Sequence, residues 1–193
     1  MKPANELTLD QQRDVFIRNK FVAMPVAGAI AWTLVGICGT LFGTYWSSMC
    51  LFGLTGSIFY LGLFIARFTG EDLLGRTRPS NLFDRIFLMS VFQAFLVFSI
   101  AIPFFLVERT SLPLSVGILS GLMWIPFSLI INHWVGYFHT ISRTLLIVVL
   151  WYAFPELRFV LIPLAIVAVY VITIATLLKR HQKVTAKHAM EIS

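Results

Sequence analysis

Apolar residues in this chain run in blocks. Six blocks, at about 21–45, 50–67, 86–107, 112–131, 136–154 and 157–178, approach the ~20 residues an α-helix needs to cross the hydrocarbon core of a bilayer. The pattern predicts an all-α membrane protein, a bundle of six transmembrane helices. Three connections, at 46–49, 108–111 and 155–156, are so short that the helices they join must form antiparallel hairpins. The long connection is 68–85, with mixed charge and Gly70, Gly75, Pro79 and Ser80. The organisation expected is an amphipathic N-terminal segment at 1–20, a membrane domain at 21–178 and a basic tail at 179–193. The polar lead-in contains Glu6, Asp10 and Asp14 and is followed by an apolar block too long for a secretory signal, so the first block is expected to be retained as a span. Within the lead-in, Leu9, Val15 and Phe16 give a weak apolar stripe suited to the headgroup region.

Composition sharpens this picture. Hydrophobic residues make up 58% of the 193 and charged residues only 12%, where a soluble domain carries about a quarter. A soluble core could not hide so much apolar surface, so lipid is the expected solvent. The net charge of +6 has a direction. With the N-terminus in the cytoplasm, all of the 15 Lys and Arg except Arg109 and Arg158 fall on the inner side. Cytoplasmic loops carry the excess of Lys and Arg, so both termini are expected inside. Tyr45, Trp46, Trp151 and Tyr152 then belong to the outer aromatic belt, Trp134 and Tyr137 to the inner one. The basic excess has no soluble module to sit on, which argues against nucleic acid and for anionic lipid headgroups as partners.

Motifs of soluble enzymes are missing, as are paired carboxylates within any block, so no catalytic residue is assigned and the chain is expected not to be an enzyme. No metal site and no cofactor are implied. Cys38 and Cys50 are expected at different depths, too far apart for a disulfide. Gly39 and Gly43, and Gly117 and Gly121, form G-x-x-x-G pairs that serve internal packing or dimerisation. Arg67 and Glu71 have the spacing of a local ion pair, with a phosphate-bearing headgroup as the alternative partner of Arg67.

The polar residues that remain converge on the cytoplasmic half. His139 and Arg143 are one helical turn apart on the fifth block. Gly117, Gly121, Trp124, Ser128 and Asn132 recur on one face of the fourth, beside Pro126, and Ser90 and Gln93 share a face of the third. Tyr170, Thr173 and Thr176 lie in the inner half of the sixth. An ionisable residue inside a membrane is a functional-site hypothesis by default. The candidate ligand-binding set is therefore Arg143, His139, Asn132, Gln93 and Ser128, lining a polar vestibule open to the cytoplasm. The alternative is that Arg143 snorkels to the interface. Arg67, Arg76 and Arg78 are candidate contacts for headgroups or a partner protein.

Three stretches, QQRDVFIRNKFVAMPVAGAIAW at 11–32, GSIFYLGLFIARFTGEDLLG at 56–75 and GILSGLMWIPFSLIINHWVGYFHTISR at 117–143, resemble a family of small bacterial integral membrane proteins classed as a domain of unknown function. The resemblance implies a bacterial inner-membrane protein of this length and carries over no site residue. Three classes of function stay open. One is a carrier or channel for a small polar or anionic solute, bound at the vestibule. The second is a sensor, scaffold or subunit that acts on a partner or a second copy through the loop and tails. The third is a lipid-modifying or redox membrane enzyme.

Overall fold

The computed structural model describes residues 7–75 and 81–192, and among them all regular structure is helical. A short α1 (Leu9–Ile17) is followed by α2 (Ala23–Leu41), α3 (Thr44–Gly56), α4 (Ile58–Thr69), α5 (Leu82–Leu96), α6 (Phe98–Val107), α7 (Leu112–Leu119), α8 (Trp124–Ile131), α9 (Val135–Ala153) and α10 (Arg158–Ile192). Five helical stretches are long and apolar enough to cross a membrane: Ala23–Leu41, Leu82–Val107, Leu112–Ile131, Val135–Ala153 and Pro155–Ala186. Taken together, α3 and α4 make a sixth, bent by 48°. These are the six apolar blocks, with shifted edges. The first block ends at Leu41 instead of running to Tyr45 because Gly43 starts a new helix, and the Ser47 hydroxyl ties the corner by donating to the carbonyls of Cys38 and Phe42.

Three of the stretches are broken near their middles, and local chemistry explains two of the breaks. At the α3–α4 bend the hydroxyls of Thr55 and Ser57 donate to the carbonyls of Leu51 and Leu54, the backbone competition that bends helices. Between α7 and α8 the chain unwinds over 120–123. Pro126 has no N–H to return to Leu122, and the Gly121 carbonyl accepts the Thr140 hydroxyl of α9 at 3.0 Å.

The packing centres on α2, which lies against α10 and α4, while α9 packs on α10, α7 and α8. A Cβ on Gly39 would collide with the backbone of Phe159, and one on Gly36 would sit 3.3 Å from Pro163 Cβ, so the α2 glycines make room for α10. Gly39 and Gly117 thus face inward, whereas nothing lies within 4 Å of a Cβ on Gly43. Cys38 and Cys50 are not separated in depth as expected. The α2–α3 hairpin brings the two thiols close enough to interact, and both cysteines are free.

The N-terminal segment also departs from expectation. α1 opens with a capping box, in which Thr8 and Gln11 exchange side-chain-to-backbone hydrogen bonds of 3.0 and 3.3 Å. It is docked on protein: Phe16 is only 1% exposed and its ring stacks within 4.8 Å of Phe21 and 6.0 Å of Phe87. The cations at this end serve as helix caps. Arg13 donates to the carbonyls of Leu129 and Ile130 at the end of α8, Lys20 to Thr69 at the end of α4, and Arg180 to Ile17 at the end of α1. Positive charge there also complements the helix dipole.

Glu71 supplies the opposite sign. Gly70, in the left-handed region at φ 71°, ends α4 and turns Glu71 inward. The carboxylate accepts N–H bonds from Val22 and Ala23 at 3.0–3.1 Å and caps α2, which has no cap of its own. The expected pair with Arg67 is therefore replaced by a long-range cap, and Arg67 is exposed. Phe21, at φ 58°, holds the strained turn that aims these N–H groups at the carboxylate, and its ring is anchored against Phe127 at 5.1 Å.

Burial raises the Glu71 carboxyl above its ordinary range, outweighing the hydrogen bonds and Lys20, which act the other way. A raised folded value means that the contribution is full at low pH and is lost as pH rises through that value. Glu71→Ala should cost about 1 kcal/mol, the usual weight of a helix cap. Glu71→Gln should keep the fold, with a stability advantage over wild type that grows as pH rises. Thermal unfolding of detergent-purified protein across pH checks both.

Candidate functional site

The 3.6-residue period of α9 puts His139, Thr140 and Arg143 on the side that faces the bundle, and all three are buried. Arg143 is the ninth of the 19 residues of α9, close to its midpoint, and is 1% exposed. It does not snorkel and it does not face an open vestibule. The space around it is filled. Its NH1 donates to Tyr170 Oη at 3.3 Å and reaches His139 Nε2 at 3.4 Å, and its NH2 donates to Ser120 Oγ at 3.1 Å. The guanidinium carbon lies 5.4 Å from the Trp32 ring centroid and 5.6 Å from that of Tyr170, within cation–π range.

The hydrogen-bond order fixes the imidazole tautomer. Thr173 gives its single hydroxyl proton to the Val169 carbonyl at 2.8 Å, so it can only accept from His139 Nδ1, 2.9 Å away. His139 Nδ1 is the donor, and Nε2 keeps a lone pair for Arg143. Trp124 stacks on the imidazole at 4.4 Å between centroids and Tyr170 meets it edge-on at 4.8 Å. The result is a cation held by neutral partners. None of its hydrogen-bond partners is an acid.

Two glycines shape this cluster. A Cβ on Gly28 would sit 2.5 Å from Tyr170 Cζ and Oη, so Gly28 is the seat of the tyrosine. A Cβ on Gly121 would come within 3.2 Å of Arg143 Cδ and 3.1 Å of the Ile118 carbonyl. Ser120, beside Gly121, closes α7: its N–H and its hydroxyl both donate to the Val116 carbonyl, and Oγ accepts from the guanidinium.

A cavity of about 60 Å³ adjoins the cluster. Ser120 and Tyr170, both partners of Arg143, form one end of it. The rest is largely apolar, with Ile58 and Phe59 from α4, and Val91, Phe95 and Phe98 from α5 and α6. All three helix breaks border it, through Thr55 and Ile58, through Phe95 and Phe98, and through Ser120 and Met123.

The other candidates lie elsewhere. Ser128 is buried, but it caps α9: its hydroxyl donates to the His133 carbonyl and accepts from the Gly136 and Tyr137 N–H groups at 3.0 and 3.1 Å. Asn132 ends α8 in the left-handed region at φ 48°, which turns it off the buried face and into the open. Gln93 is exposed and lines shallow surface hollows with Ser90. Neither Asn132 nor Gln93 is a hydrogen-bond partner of Arg143, so the five-residue vestibule resolves into the Arg143–His139 pair and three separate positions. Arg76 and Arg78 lie outside the described residues. Among the described residues no group of three or more His, Cys, Asp or Glu is placed to hold a metal ion.

Trp32 and Ser120 were not legible as site residues. Trp32 carries no charge and recurs four residues after Gly28 among small apolar neighbours, a pattern that signals close packing. Ser120 reads as one more helix serine, and only the packing of α7 against α9 brings it to Arg143.

The model of a family of unknown function (DUF7010) matches residues 9–180. The chain belongs to this family. The match spans α1 through the apolar part of α10, so the buried cluster, the cavity and the cationic caps all lie within the family's region. No curated protein and no solved structure matches the chain significantly.

The glycine seats yield a contrast. Gly28→Ala should displace Tyr170 and destabilise the protein by about 1–3 kcal/mol, the usual cost of overpacking. Gly53→Ala, with nothing within 4 Å of the new Cβ, should not lower stability. Unfolding temperatures of the two variants in one detergent check this.

Proposed function

We propose that this is a multi-pass membrane protein of six spans with both termini cytoplasmic, and that it binds a small polar or anionic solute at Arg143, to hold it or to move it. One observation carries the binding reading. A guanidinium has five N–H donors, three of its contacts are to neutral groups, and Nε has no partner although it is buried. Burying a cation without an opposite charge is costly. A protein that keeps one at mid-span has a use for it, and an acceptor of negative charge would fill the remaining donor capacity and offset the cost.

The membrane reading is supported by the distribution of polar groups between the two ends of the bundle. At one end Arg13, Lys20 and Arg180 gather around the ends of α1, α4 and α8. At the other, Arg158 donates to Thr110 and to the Trp151 carbonyl and stacks on Trp151 at 3.8 Å, joining two short connections. Tyr45, Trp46 and Tyr152 are exposed near that second end and Trp134 near the first, as two aromatic belts require.

A thermal-stability screen of the purified protein against small anions, run beside Arg143→Gln, tests the site. Selective binding to the folded state raises stability by about 2.7 kcal/mol at a hundredfold excess over Kd. A ligand that stabilises wild type and not the variant is the expected result. No stabilisation by any anion, or equal stabilisation of both proteins, rejects it. The orientation has its own test: a reporter fused after Ser193 should read cytoplasmic, and an external reading would overturn it.

A further inference from the structure

We infer that the ligand held at Arg143 is an amphiphile, a long-chain carboxylic acid in chemical class, which enters sideways from the bilayer between α4 and α5. This rests on the Arg143 reading and narrows it. Three observations carry it together.

The first is the division of the cavity. Its polar groups are Thr55, Ser120 and Tyr170, and Thr55 is committed to the Leu51 carbonyl at 2.6 Å. Ser120 and Tyr170 sit at the Arg143 end. Tyr170 accepts from Arg143, and its own hydroxyl proton has no acceptor among the described residues. Arg143 does not line the cavity, but its guanidinium lies one hydrogen bond behind Ser120 and Tyr170, so this end offers the Tyr170 proton and positive charge and lacks an acceptor. A carboxylate is the matching group. The remaining wall is aliphatic and aromatic, which a hydrated inorganic anion would leave unused and an alkyl chain would fill.

The second is size. On this measure a space of about 10–15 Å³ holds one water, so about 60 Å³ takes a small polar head with a few carbons and not a whole alkyl chain. The chain of such a ligand must extend beyond it.

The third is a cleft that leads there. α4 packs chiefly on α2, whereas α5 packs on α1 and α8 and α6 on α7; no comparable packing joins α4 to α5 or α6. The cavity wall crosses this gap, with Ile58 and Phe59 on one side and Ala94, Phe95 and Phe98 on the other. Tyr60, Phe92 and Phe95 are exposed beside it. A chain lying in the gap would touch lipid along its length, and its head would reach Ser120 and Tyr170 with the Arg143 charge directly behind them.

The test uses the full-length protein in lipid nanodiscs with a photoactivatable long-chain fatty acid and its methyl ester as probes. The acid should label peptides containing Phe59 and 94–98, should be competed by unlabelled fatty acid, and should label Arg143→Gln and the neutral ester complex about tenfold less, the weight of one charge-assisted contact. Ala94→Trp, which fills the cavity away from Arg143, should block labelling while the protein stays folded. Equal labelling by acid and ester, or labelling unchanged in Ala94→Trp, would mean ordinary lipid contact and overturn the inference. If benzoate or inorganic phosphate instead stabilises wild type in an Arg143-dependent way and the acid does not label, the site stands and the amphiphile is wrong. Failure of both probes removes the site as well.

Discussion

A guanidinium buried at the middle of α9, with no carboxylate on it among the described residues, is the constraint around which the centre of this protein is arranged. Arg143 must be satisfied by neutral groups, and each of these is held by something else. Thr173 fixes the proton of His139, so that a lone pair faces the arginine. Gly28 leaves the room in which Tyr170 stands. Ser120, at the C-cap of α7, is held by the Val116 carbonyl and accepts from the arginine, and the turn that follows is tied by the Thr140 hydroxyl on the Gly121 carbonyl. Helices α2, α7, α9 and α10 are thus tied together through one side chain. A low-dielectric interior makes each of these contacts stronger and the loss of any of them more costly.

The same economy governs the helix ends. A helical protein with many breaks and corners exposes many unsatisfied backbone groups. Here several are met from distant parts of the chain, by Glu71 for α2, Arg13 for α8 and Lys20 for α4, while Ser128 reaches across the short α8–α9 connection to α9. Local capping is found chiefly in the segments outside the apolar core, at Thr8 and Asn81.

What the sequence made legible follows this division. Block length and apolarity located all six stretches, because those quantities are local. Helical period placed His139 and Arg143 together, because their relation lies within one turn of one helix. Relations between helices were not legible. Asn132 shares the period of Ser128, yet its left-handed backbone takes it off the face. Gln93 points outward because nothing in its own helix says which side meets α8. Glu71 was assigned to Arg67, four residues away, when its partners are 48 and 49 residues away. Cys38 and Cys50 were placed by depth along separate spans, but the hairpin geometry that joins them depends on Gly43 and Ser47.

The caps around α1 also set an order of assembly. Arg13 binds carbonyls 116 and 117 residues further on, and the carbonyl of Ile17 waits for Arg180, 163 residues away. α1 is therefore fully seated only once α8 and α10 are in place. Phe16 can pack on Phe21, Phe83 and Phe87 without them, but the long-range hydrogen bonds of Arg13 and of the Ile17 carbonyl cannot form. Loss of α8 or α10 would thus be felt at the opposite end of the sequence, as a loosened α1 whose Arg13 and Ile17 carbonyl have lost their partners.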